Sequence, residues 1–255
     1  MTAAHARGRV EEYLHEHLAQ GPVHFTLIDP DKSPGAKAAR VARGAVELGS
    51  DVILLGGSTG ISREVMDATA RATKAEVDVP VVIFPEGASS LTGSADAVLF
   101  MSLLNSRNLD LVIRTHARAA PVVRTMGLEA IPLGYLVIAP GMRVGEVGQV
   151  DTVAREDLDG ACGYALAAEL LGMRFVYLEA GSGAPAPVPA PMVRAVRSVL
   201  TVPLVVGGGI RTGPDARALL DAGAQLLVTG TITEEQGLGD GFRGILEEVR
   251  RDRVR

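Results

Sequence analysis

The sequence predicts an α/β protein: a (β/α)8 barrel modified by a missing or shortened helix after its third strand. Three observations carry that expectation. Eight short apolar runs recur along the 255 residues. Helical patterns separate nearly all of them. The runs are almost continuously hydrophobic rather than alternating, as expected of parallel strands covered by helices. Eight such units in one chain of this length favour a closed barrel, with a doubly wound open sheet as the alternative.

Taken in order, an N-terminal helix is expected over about 9–19. A single barrel domain follows over about 24–251, within one domain covering 1–255. The first strand is read at 24–29 (HFTLID). Its helix is PGAKAARVARGAVELG, with Ser33 as N-cap, Pro34 in the first helical position and Gly49 closing it. Strands two and three are read at 51–57 (DVILLGG) and 80–84 (PVVIF), and strand four at 96–103 (DAVLFMSL). Between the third and fourth lies only PEGASSLTGSA, too short and too rich in Gly and Ser for a covering helix. A missing helix uncovers apolar barrel flank, and an exposed apolar groove usually meets a ligand or partner. The alternative is a short loop whose gap the N-terminal helix fills. Strand five, 131–138 (IPLGYLVI), leads into APGMRVGEVGQVDTVARED, a long excursion suited to oligomer contacts or a lid. The last three strands are read at 174–180 (RFVYLEA), 203–208 (PLVVGG) and 225–231 (QLLVTGT). The helix GPDARALLDAG, with Pro214 near its start, joins the final two.

Composition excludes several classes. Net charge is −5 and the basic residues are scattered, which argues against a nucleic-acid surface. A single cysteine, Cys162, excludes an intramolecular disulfide and fits a reducing cytoplasm. It sits in an Ala/Leu-rich helical pattern and reads as a buried structural thiol. No secretory signal is visible, and the longest uncharged run, 130–142, holds two prolines and falls short of the ~20 apolar residues of a membrane span. Contact with a membrane would be peripheral.

In a barrel the chemistry sits at the carboxyl ends of the strands. Strand one ends on Asp29-Pro30-Asp31-Lys32 and strand two on Gly56-Gly57-Ser58-Thr59-Gly60. Strand six ends on Glu179 followed by Gly181-Ser182-Gly183, strand seven on Gly207-Gly208-Gly209, strand eight on Gly230-Thr231. Three consecutive glycine-rich turns form an arc where backbone N–H groups can approach a phosphate without a Cβ in the way. Glycine at one strand end would serve a turn alone; three in succession favour an anion cradle. Asp29 offers a hard-cation ligand and Ser58 a neighbouring oxygen, enough for Mg2+ only if substrate phosphates complete the shell; the other reading of Asp29-Pro30-Asp31 is a plain turn. Lys32 reads either as a phosphate contact or as a solvated side chain. His5, His15 and His17 read as surface residues, His24 as a hydrogen-bonded core or rim residue, and His116 as lying in a helix far from the site.

The motifs HFTLIDPDK, LLGGSTG, DAVLFMSLLNSRN, YLEAGSGA, VVGGGIRTG and VTGT, in this order from about residue 24 to 231, resemble the geranylgeranylglyceryl phosphate synthase family, which includes bacterial heptaprenylglyceryl phosphate synthases. IPLGYLVI followed by PG resembles its longer branch. The resemblance implies a TIM barrel lacking one helix and transfer of a prenyl group to the C3 hydroxyl of sn-glycerol 1-phosphate. The donor would be a prenyl diphosphate, geranylgeranyl or the longer heptaprenyl. It further implies that Asp29 and Ser58 bind Mg2+, and that Glu179 is the catalytic carboxylate with Tyr177 orienting the glycerol. Tyr177, Leu178, Glu179, Ala180, Gly181, Ser182 and Gly183, with Gly208, Gly209, Gly230 and Thr231, would hold glycerol phosphate. The prenyl tail would run along the uncovered flank by Leu99, Phe100 and Met101, of which strand alternation lets only some face the groove; a bulky Phe100 would limit its length. A homo-oligomer is expected. Hexamers of the longer branch place an aromatic within 141–148, and GMRVGEVG has none, which leaves a dimer as the firmer expectation. A phosphosugar isomerase and a binding module without catalysis are the competing readings.

Overall fold

The computed structural model describes residues 7–57 and 60–253. Eight parallel strands close into a barrel in sequence order, which removes the open-sheet alternative. They are β1 (Val23–Ile28), β2 (Val52–Gly56), β3 (Val81–Phe84), β4 (Ala97–Leu103), β5 (Glu129–Val137), β6 (Phe175–Glu179), β7 (Leu204–Gly207) and β8 (Leu226–Thr229). Each lies inside a run expected from sequence, apart from a one-residue start at Val23 and a two-residue start at Glu129. The strands are apolar on both faces because both are covered. Phe25, Leu54, Leu99, Leu133, Tyr135, Phe175 and Tyr177 fill the barrel interior. Their neighbours Ile53, Leu55, Val98, Leu136, Val176 and Leu178 pack outward beneath the helices.

The covering helices are α2 (Ala36–Glu47), α3 (Arg63–Lys74), α4 (Thr115–Met126), α6 (Leu158–Leu170), α7 (Ala190–Val199), α8 (Gly213–Asp221) and α10 (Asp240–Arg251). Two short helices, α5 (Met142–Val147) and α9 (Thr231–Gln236), stand over the carboxyl ends of strands five and eight. Local chemistry sets the boundaries. Thr212 and Asp215 form a reciprocal capping box at α8, while α2 departs from expectation. It starts at Ala36 behind Gly35, whose φ of +52° only glycine adopts readily. Ser33 and Pro34 belong instead to the turn in which the Ser33 N–H bonds the Asp29 carbonyl at 2.9 Å. His24 is buried between the Ser50 and Thr229 hydroxyls at 3.1 and 2.9 Å, and burial pushes its pKa down to about 3.

After β3 the chain makes only a single 3-10 turn, Ala88–Ser90, before β4. The expected gap in the helical ring is present. The N-terminal helix α1 (Arg9–Leu18) does not fill it. Val10 and Leu14 of α1 join the interior core, closing the barrel at the amino ends of the strands. Burying such side chains is worth ~1.5–3 kcal/mol each. The Glu129 carboxylate, at the start of β5, accepts hydrogen bonds from two amides in the first turn of α1, Val10 at 2.8 Å and Glu11 at 2.9 Å. Among the described residues, no helix is long and apolar enough to cross a membrane.

Candidate active site

One cavity of about 420 Å³ opens at the carboxyl end of the barrel and runs out through the gap in the helical ring. At one end it is lined by Ser182, Gly208, Gly209, Gly230 and Thr231. In the middle it meets Asp29, Tyr135, Tyr177 and Glu179. At the other end it is walled by Phe84, Leu91, Phe100, His116, Ala119 and Val123. A polar glycine-rich mouth and an apolar flank are thus one continuous space.

The glycine end depends on backbone shape. Gly181, Gly183, Gly208 and Gly209 all hold positive φ, between +72° and +101°. At Gly208 a Cβ would stand 2.3 Å from Glu179 Oε1 and 2.7 Å from the Gly181 amide. Ser182 and Thr231 exchange a hydroxyl contact of 2.8 Å, and the Gly183 amide donates to Thr231 Oγ1 at 3.1 Å. The loops after strands six and eight are therefore tied together across the cavity.

Glu179 ends β6 pointing inward, only 6% exposed. The Gly181 amide donates to its Oε1 at 2.6 Å, and the hydroxyls of Tyr177 and Tyr135 donate to the same carboxylate. The two tyrosines sit opposite each other on neighbouring strands, rings 4.9 Å apart and edge to face. Gly207 on the next strand leaves room for the Tyr177 hydroxyl, which a Cβ there would meet at 2.0 Å. Burial raises the Glu179 pKa above the usual carboxylate value; the three hydrogen bonds pull it back without cancelling the rise. Burial beside this carboxylate holds both tyrosines well above their ordinary range, so their hydroxyls stay protonated as donors.

On the opposite rim, Asp29 is buried and lines the cavity, with Oδ1 accepting from the Asp31 amide at 3.0 Å. Lys32 lies 3.8 Å from Asp29 Oδ2 and donates to Glu234 of α9 at 2.7 Å, so it lines the cavity while its side chain remains exposed to solvent. The Glu234 hydrogen bond raises its pKa. Ser58 lies outside the described residues. Among those described, no group of three or more His, Cys, Asp or Glu side chains could hold a metal ion. A hard cation would take one protein carboxylate and draw most of its ligands from phosphate and water. That donor set suits Mg2+, which keeps several waters and binds phosphates readily.

Several sequence-predicted positions fall elsewhere. Leu178 and Ala180 are fully buried in the outer packing layer, so their side chains face away from the cavity. The Gly181 amide is engaged by Glu179. His116 is not remote: Nε2 bonds the Met101 carbonyl at 2.7 Å, its ring meets Phe100 edge-on at 4.8 Å, and it lines the flank. Leu99 points into the barrel, while Phe100 points out into the gap. Tyr135 and Arg143 were not foreseen as site residues. The register Tyr135↔Tyr177 and Val137↔Glu179 held the signal for the first, since a tyrosine two residues from the end of a buried strand needs a partner.

A model of the PcrB family matches residues 14–249. Geranylgeranylglyceryl phosphate synthase of Pyrococcus horikoshii is 47% identical to this chain, covering 95% of it and 96% of that protein. The enzyme of the same name from Methanothrix thermoacetophila is 50% identical, covering 90% of this chain and 89% of its own. The crystal structure of (S)-3-O-geranylgeranylglyceryl phosphate synthase from Thermoplasma acidophilum, in complex with substrate sn-glycerol-1-phosphate, is similar to this fold with a TM-score of 0.91. It is 44% identical, covering 96% of this chain and 100% of that one.

Proposed function

This chain belongs to the PcrB family, and on that premise we propose that it is a prenyltransferase joining a long-chain prenyl diphosphate to the C3 hydroxyl of sn-glycerol 1-phosphate. The observation that carries the reading is the single cavity in which Glu179 stands between a glycine cradle and an apolar groove. The phosphate of the acceptor fits the end lined by Ser182, Gly208, Gly209, Gly230 and Thr231. The prenyl tail fits the flank by Phe84, Phe100 and His116. A phosphosugar isomerase would have no use for that flank.

The bond between C1 of the prenyl chain and its diphosphate breaks as the C3 oxygen of glycerol bonds to C1. The hydroxyl proton leaves the nucleophile, and Glu179 is placed to accept it. A base of this kind contributes ~10²–10⁴-fold, and its negative charge favours the cationic character that builds at C1. Tyr135 and Tyr177 hold the carboxylate toward the cavity and keep it available as an anion despite burial. Holding the alcohol beside C1 supplies the orientation that a weak nucleophile lacks in water.

Asp29 and Ser58 would hold Mg2+, which when bound offsets the charge of the departing diphosphate. Lys32 and Arg143, on the same cavity wall, add positive charge at that end. Geranylgeranyl diphosphate is the favoured donor, since the bulky Phe100, which lines the groove, would limit the length of the tail. A homodimer is the expected assembly and the cytoplasm the expected compartment.

The test is incubation with labelled sn-glycerol 1-phosphate, Mg2+ and prenyl diphosphates of graded length. Ether-linked product with the twenty-carbon donor, lost on chelation, is expected. No product with any donor, or turnover of phosphosugars instead, would refute the assignment.

A further inference from the structure

The mechanism gives no task to Arg211, the cation of the VVGGGIRTG motif. Gly208, Gly209 and Ile210 line the cavity, and Arg211, next in the chain, does not. Its side chain turns instead to the segments on either side. Nη1 donates to the Ala184 carbonyl at 2.6 Å, and Nη2 lies 3.6 Å from Glu235 of α9. The Arg211 amide donates to Asp215 Oδ2 at 3.1 Å, which fixes its backbone to the first turn of α8. One guanidinium thus spans three neighbouring strand-end segments: the loop after β6, the loop after β7 that carries it, and α9 after β8.

These three segments carry the glycine cradle. Glycine has more conformational freedom to lose on folding than any other residue. Amides on glycine-rich turns therefore keep set positions only where something outside the turns holds them. The ties through Thr231, to the Ser182 hydroxyl and the Gly183 amide, join the first segment to the third. They do not reach the loop that presents Gly208 and Gly209. Backbone pairing between β6 and β7 runs as far as the Ala180 amide on the Gly207 carbonyl, at 3.1 Å. Past that point, among the described residues, the Arg211 side chain is the hydrogen-bonded link between the two loops. The carbonyl it holds belongs to Ala184, whose amide closes the turn back onto the Gly181 carbonyl at 3.0 Å.

We propose that Arg211 is a positioning residue for the acceptor: holding the three segments in register, it sets the spacing of the groups that take the phosphate of sn-glycerol 1-phosphate. That role rests on the prenyltransferase reading, which seats this phosphate in the cradle. The competing account is charge alone, a cation placed near an anion. The two differ in sign at Glu235. If Arg211 acts by charge, the Glu235 carboxylate opposes it, and neutralising that carboxylate should tighten acceptor binding. If Arg211 acts as a tie, Glu235 is one of its ends, and neutralising it should loosen binding. They differ at Arg211 as well. Lysine keeps the charge but is a point donor without the planar fork that reaches two partners at once.

The test is calorimetric titration of the full chain with sn-glycerol 1-phosphate, alongside KM for acceptor and donor and thermal melting. Arg211→Gln should weaken acceptor binding about tenfold, the lower end of the range for a hydrogen bond from a charged group, since the side chain is 31% exposed. KM for the acceptor should rise in proportion, and KM for the prenyl donor should not follow. Arg211→Lys should fall between this variant and wild type. Glu235→Gln should loosen acceptor binding about two- to threefold, as suits an exposed pair. Should Arg211→Gln fail to fold, the other two variants carry the test. Glu235→Gln binding the acceptor as well as wild type or better, or full affinity in Arg211→Lys, would overturn the tie in favour of charge. A lower melting temperature with equal losses in both KM values and in kcat would make Arg211 a residue of general stability, and overturn it too. Wild-type protein that fails to bind glycerol 1-phosphate would strike the enzymatic reading itself.

Discussion

The two ends of the cavity are built on opposite principles. The glycine end is fixed by backbone: four positive-φ glycines, hydroxyls bridged between loops, and a carboxylate held by three donors. The flank end is made by omission, where a 3-10 turn replaces a helix and side chains such as Phe100 and His116 become the wall. An anionic headgroup needs donors at set positions, so its site tolerates little change. A prenyl tail needs only a dry surface of sufficient length, so its site should tolerate and respond to changes of volume. Substitutions at the first end should therefore stop the reaction, and those at the second should alter which donor is used.

The largest effect is expected from Glu179→Gln. Removing the proton acceptor while keeping shape should cost ~10²–10⁴-fold in kcat, with KM for glycerol 1-phosphate little changed. Full activity in steady-state assays would remove Glu179 as the base.

Gly208→Ala comes next. It places a Cβ against Glu179 Oε1 at a φ of +79° that alanine resists. A stability loss of more than about 1 kcal/mol is expected, together with most of the activity, measured by thermal melting and by KM for the acceptor.

Tyr135→Phe should act through pH. Glu179 accepts a proton only when ionised, so activity falls as pH drops through its raised pKa. Removing one of the hydrogen bonds that lower this pKa raises it further. The acid limb of the kcat/KM profile should move to higher pH, with a loss of at most about 10- to 100-fold near neutrality, since one charge-assisted hydrogen bond is worth ~1.5–3 kcal/mol. An unmoved acid limb would confine Tyr135 to packing.

The smallest change in rate should come from Phe100→Ala. It should leave turnover of the twenty-carbon donor within a few-fold and admit longer donors, read by product chain length. If donor preference stays the same, the tail does not pass Phe100.

The two ends also differ in how far the sequence disclosed them. Strands, gap and glycine turns were legible because each is local: an unbroken apolar run, a linker too short for a helix, a glycine where φ must be positive. Glu179 followed from its place at a strand end. What was not legible depends on register and facing. Leu178 and Ala180 share the YLEAGSGA motif yet point outward, because neighbours in a strand alternate. Tyr135 reaches Glu179 only because β5 and β6 pair with Tyr135 beside Tyr177. His116 reaches the flank because α4 leans over the strand left bare by the missing helix, a tertiary consequence that no local pattern records.

The most direct measurement is a crystal structure with sn-glycerol 1-phosphate and an unreactive thiodiphosphate analogue of the twenty-carbon donor bound together. The acceptor's C3 hydroxyl should lie about 3 Å from a Glu179 oxygen, with its phosphate against Gly208, Gly209 and Thr231 and the tail crossing Phe100. A hydroxyl turned away from Glu179, or a tail leaving the barrel by any route but the open flank, would contradict the account.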